Sequence, residues 1–173
     1  MKWFRSMLVV AAVAALAVSS ARAQEAPKPG PEHEMLKKWE GTWDTTMKMA
    51  GGESKGVAKY KMELGGLWLS STFEGELFGS KFSGKGMNSY DAGKKKFTGV
   101  WVDSMSTSPM VTEGTYDKET KKLTMTGEGP GEGGKTQKIK NVTEWKDEDT
   151  AHFTMYMGDT KEPTFTIVYK RKK

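Results

Sequence analysis

The chain has 173 residues, 36% of them hydrophobic, with 27 Lys and Arg against 22 Asp and Glu for a formal charge of +5. It contains no cysteine, which excludes a disulfide scaffold and a catalytic thiol. This length supports one domain with one hydrophobic core, which must supply the stability unaided.

At the N-terminus, Lys2 and Arg5 precede an unbroken Met7–Val18 run of Met, Leu, Val and Ala, and Ser19-Ser20-Ala21-Arg22-Ala23 follows. This is the three-part pattern of a secretory signal, with cleavage expected after Ala23. The apolar run of about a dozen residues is too short for a bilayer core that needs about 20. No cysteine follows it and no Arg-Arg pair precedes it, so neither a lipoprotein anchor nor twin-arginine export is expected. Residues 1–23 are thus read as removed, leaving a periplasmic or secreted protein. Loss of Lys2, Arg5 and Arg22 leaves 24 basic and 22 acidic residues, 24 − 22 = +2. The remaining excess lies in Lys94-Lys95-Lys96 and Lys170-Arg171-Lys172-Lys173. These read as a charged turn and a solubilising end, without the stacking aromatics of a nucleic-acid face. Nucleic acid is therefore not an expected partner.

Residues 24–31 (QEAPKPGP) read as a flexible leader, and 32–173 as the single folded domain. Met35, Leu36 and Trp39 at helical spacing predict a short helix over Glu32–Glu40, stopped by Gly41. After Gly41 the period changes from 3.6 to 2. Ten strands are predicted: Thr42–Met49, Val57–Leu64, Leu67–Glu74, Phe82–Tyr90, Phe97–Asp103, Met110–Tyr116, Lys122–Gly127, Thr136–Trp145, Ala151–Met157 and Thr164–Lys170. Their connections are too short for crossover helices, so the sheet is an antiparallel meander that splits into a sandwich or closes into a barrel. An all-β, up-and-down barrel of about ten strands with a short N-terminal helix is the expected fold. Alternation assigns Trp43, Thr45, Met47 and Met49 to one inner face, Ala58, Tyr60, Met62 and Leu64 to the next, and Phe153, Met155 and Met157 to a third, with lysines and acids opposite. A transmembrane barrel shows the reverse pattern, so no stable membrane insertion is expected after signal removal. Strand five leaves the interior open, because Val100 and Val102 compete with Trp101 and Asp103 for it.

A short helix followed by Gly41-Thr42-Trp43 resembles the opening of calycin barrels, the lipocalins and fatty-acid-binding proteins. There the Trp plugs the closed end beside a basic residue of the last strand, a role the resemblance offers to Trp43 with Lys170 or Arg171. Trp101-Val102-Asp103-Ser104-Met105-Ser106-Thr107, Glu113-Gly114-Thr115-Tyr116-Asp117 and Leu123-Thr124-Met125-Thr126-Gly127-Glu128 are similar to a bacterial domain-of-unknown-function family, number 1579. Gly84-x-Gly86 and Tyr90-Asp91 fit as well, and the likeness runs over about residues 32–170. It implies a lipocalin-like barrel and no particular activity. Nitrobindin-like haem barrels place a histidine near the last strand, whereas Pro163–Tyr169 has none, so no haem and no other cofactor is expected.

Catalytic and metal patterns are sparse. His33 and His152, the two histidines, have no cysteine or second histidine nearby and read as surface residues, so no metal is expected. Met47-x-Met49 and Met155-x-Met157 offer soft ligands for Cu(I), but they follow the apolar phase and read as core filler. The glycines of Gly129–Gly134 precede no helix and read as a hairpin loop, not a phosphate cradle. Asp103, beside Trp101 and ahead of Ser104-Met105-Ser106-Thr107, reads either as a turn residue bonded to the following loop or as an inward acid or base with a raised pKa. It is the best catalytic candidate, but no second catalytic group is evident. The leading functional expectation is a binding module for a small apolar or amphipathic ligand, lined by Tyr60, Met62, Phe73, Trp101, Asp103, Met125, Phe153 and Met155. The alternatives are an enzyme using Asp103 in that cavity and a filled barrel that contacts envelope partners. Ligand identity and oligomeric state are not legible.

Overall fold

The computed structural model describes residues 26–173. The expected signal, residues 1–23, lies outside the described residues. Helix α1 (Pro31–Lys37) leads into ten strands: β1 (Gly41–Met49), β2 (Gly52–Glu63), β3 (Trp68–Leu77), β4 (Ser80–Asp91), β5 (Lys96–Asp103), β6 (Met110–Asp117), β7 (Lys122–Pro130), β8 (Thr136–Trp145), β9 (Thr150–Met157) and β10 (Phe165–Arg171). Each strand pairs antiparallel with the next, and β10 returns to β1, with Trp43 opposite Arg171 and Met47 opposite Ile167. Closure leaves no unpaired edge, the hazard an open meander carries. Among the described residues no helix is long and apolar enough to cross a membrane.

The period-2 pattern sets the inside. Trp43, Thr45 and Met47 of β1 and Ile167 and Tyr169 of β10 point inward and are buried, whereas Asp44, Lys48 and Lys170 on the same strands are exposed. On β5 the choice falls to Phe97, Gly99, Trp101 and Asp103, which pair with the inner residues Tyr90, Asn88, Gly86 and Gly84. Val100 and Val102 face out, 41% and 46% exposed. At the end of β2 the inner row stops at Met62. Leu64, expected to continue it, instead enters a tight turn with φ of 51° and is 67% exposed.

The helix is shorter than the Glu32–Glu40 span expected, but its apolar face is the predicted one. Met35, Leu36 and Trp39 are buried against the end of the barrel where β2 turns into β3. His33 corrects a sequence expectation. It is 7% exposed rather than a surface residue, because it lies one helical turn before Leu36 on the docked face. Its Nδ1 accepts the Gly30 amide at 3.0 Å, and its ring stands edge-on to Tyr90. His152 is exposed, as expected.

Candidate functional site

The barrel has one plugged end. Trp39, Trp43, Tyr60, Trp145 and Tyr169 form an aromatic cluster there, with Trp39 at its centre, 4.5 Å from Trp145 and 4.9 Å from Tyr60 between ring centroids. The tilted and edge-to-face geometries are those preferred by ring quadrupoles. The Trp43 indole donates to the Trp39 carbonyl at 2.7 Å, tying β1 to the chain after the helix. Arg171 closes the cluster from outside: its guanidinium sits 4.1 Å over Trp43 and donates to the carbonyls of Glu40 and Lys38. Of the two basic residues expected beside the plug, Arg171 takes the place and Lys170 faces water, as period 2 dictates. The Tyr60 phenol is pushed well above its ordinary value, chiefly by burial and secondly by the adjacent Tyr169. Burial pushes Tyr169 up to about 12.

The opposite end is the mouth. Trp101 and Asp103 stand there at the end of β5, and the indole donates to Asp103 Oδ2 at 3.0 Å while Oδ1 accepts the Met105 amide at 2.9 Å. Both carboxylate oxygens are thus engaged within their own segment. The Trp101 ring lies flat on Gly84, where an added Cβ would come 2.1 Å from the ring. The chain could not place a tryptophan across β4 with any other residue at that point.

Register places all eight expected lining residues on the inner surface. Tyr60 and Met62 lie at the plugged end, Phe73 beside Phe82, Trp101 and Asp103 at the mouth, and Met125, Phe153 and Met155 between. They do not form one cluster. Two surface concavities of about 610 and 570 Å³, one at the rim between the β1–β2 and β3–β4 turns and one over the outer faces of β7–β9, touch none of them. The two Met pairs stay apart, because Phe165 of β10 sits between Met49 and Met155. Among the described residues no group of three His, Asp or Glu is placed to hold a metal.

The interior has two unlike halves. The inward residues of β1 and β10 are mostly packed, whereas all four of β6, Met110, Thr112, Gly114 and Tyr116, keep partial exposure although they face the axis. Asn88 of β4 and Asn141 of β8 do the same. Sequence reading missed these polar positions because polar residues were assigned to the outside. Their phase relative to Leu69 and Met125, which they face across the ladder, is the signal that places them.

The model of one protein family matches residues 28–171, and its description is a protein of unknown function, DUF1579. The chain belongs to the DUF1579 family. No curated protein matches it. The DUF1579 barrel is similar in structure to Rv2717c from M. tuberculosis, with 14% identity, 83% of this chain and 99% of that one covered, and a TM-score of 0.62. It is also similar to the S-type phycobiliprotein lyase CPES from Guillardia theta, at 10% identity, 82% and 93% coverage and a TM-score of 0.54. At these identities the likeness is one of fold: the DUF1579 barrel shares the lipocalin-like architecture.

Proposed function

We propose that this DUF1579 barrel binds a small amphipathic molecule in its interior, entered from the mouth beside Trp101. The observation that carries the reading is the contrast between a sealed aromatic floor and inward side chains of β4, β6 and β8 that still meet solvent. Barrels of this strand number hold one small ligand when their interior is not filled by side chains. The family resemblance and the fold of the CPES lyase are compatible with such a role. The proposal includes export: Lys2, Arg5, the Met7–Val18 run and Ala21-Arg22-Ala23 support removal of residues 1–23 and action outside the cytoplasm.

Native mass spectrometry of protein purified from its own source tests both parts. A co-purifying mass and an N-terminus at Gln24 are expected. A clean apo mass across several preparations, together with no uptake of an uncharged environment-sensitive fluorophore, overturns the binding reading. An intact Met1 overturns export.

A further inference from the structure

We infer that the interior selects an uncharged, hydrogen-bonding headgroup, such as an amide or alcohol, and discriminates against carboxylates. This rests on the binding reading above and specifies its chemistry. Among the described residues, the side chains of Asn88, Thr112 and Asn141 make no hydrogen bond within the protein. Asn88 and Thr112 flank the bare backbone of Gly99: a Cβ there would lie 2.6 Å from Asn88 Oδ1, 3.3 Å from Thr112 Oγ1 and 3.6 Å from Met125 Cε. Asn141 faces Met125 across the next ladder. Amide and hydroxyl groups on β4, β6 and β8 therefore line one wall, with glycines between them. Deeper, on β1, the Thr45 Oγ1 is buried with no partner. Inward polar groups left unpaired are costly unless water or a ligand satisfies them.

The charges decide the headgroup. Among inward positions of the strands only Asp103 and Arg171 are ionic, and they lie at opposite ends. Arg171 is beneath the plug and turned away from the interior: Nε donates to Asp149 Oδ1, Nη1 to Glu40 O, and Nη2 to Lys38 O and Glu148 O. Trp43 stands between its guanidinium and the interior. A fatty-acid carboxylate entering this barrel meets Asp103 at the mouth and finds no cation inside. Burying an unpaired carboxylate costs far more than burying an amide that can pair with Asn88, Thr112 or Asn141.

Decanamide, decanol and decanoate share a hydrocarbon tail and differ in headgroup. Each is titrated into the unaltered protein at about pH 8, where the acid is ionised, reading displacement of an uncharged naphthylamine fluorophore. The amide and alcohol should displace it at least about tenfold more effectively than decanoate. Asn88→Leu and Asn141→Leu should each weaken decanamide several-fold. Decanoate binding as well as or better than decanamide overturns the inference while leaving the binding reading standing. So does an undiminished response to decanamide in both variants. If the fluorophore and all three compounds fail to bind, the binding reading falls and the inference with it. The comparison on the unaltered protein decides the matter even if a variant fails to fold.

Discussion

Arg171 lies over the Trp43 ring at 4.1 Å and joins the last strand to the helix linker through the carbonyls of Lys38 and Glu40. Charge-assisted bonds and a cation over an aromatic face act here on one side chain. Arg171→Ala should lower stability by about 2–4 kcal/mol in urea denaturation. Arg171→Lys should recover less than half, since an ammonium cannot lie flat on the ring and span the same carbonyls. A loss under about 0.5 kcal/mol would show that the contact is incidental.

The mouth depends on a shape match. Gly84→Ala puts a methyl 2.1 Å from Trp101, so the ring must leave its seat. A cost of about 1–3 kcal/mol is expected, as for overpacking, with an altered near-ultraviolet tryptophan signal. Asp103→Asn keeps an acceptor and should cost under about 1 kcal/mol, whereas Asp103→Ala loses both bonds and should cost about 1–3 kcal/mol. Equal melting temperatures for the two would contradict a structural role for this carboxylate.

Alkali should act through the plug. Both Tyr60 and Tyr169 hold their protons more tightly in the folded state than at the ordinary tyrosine value of about 10. Their contribution to stability is complete below about pH 10 and is lost as pH rises toward about 12. In an absorbance titration, two of the five tyrosines should resist ionisation until the protein unfolds. Ionisation of all five together in the native protein would refute this.

Where β6 meets β7 the backbones approach closely. A Cβ on Gly114 would lie 1.8 Å from the Thr124 carbonyl oxygen. Gly114→Ala must therefore part the ladder and should cost over about 3 kcal/mol or prevent folding. Thr115→Ala, exposed next door, should stay within about 0.5 kcal/mol. Circular dichroism melts of the pair decide it.

Most of the fold was legible because alternation reports which side of a strand meets water. Ten strands, their order and the inner rows of β1, β9 and β10 followed from it. It fails where both phases carry bulk, as at Val100, Trp101 and Val102, and only the ladder with β4 decides that strand. It also fails where the inside is polar, so Asn88, Thr112 and Asn141 were unreadable without the register. His33 was misread because a seven-residue helix offers too few turns to outvote a polar residue type, although its spacing from Leu36 carried the information. Tyr60, Met62, Phe73, Met125, Phe153 and Met155 fall on the inner face that parity gave them, whereas Trp101 and Asp103 needed the ladder, and parity says nothing of which residues meet across the axis.

The seam between β1 and β10 joins residues more than a hundred positions apart, and Arg171 locks it. Such long-range closure delays folding until its final partner is available. Until Arg171 reaches Trp43 and the helix linker, the sheet stays unlatched whatever the other nine ladders have done.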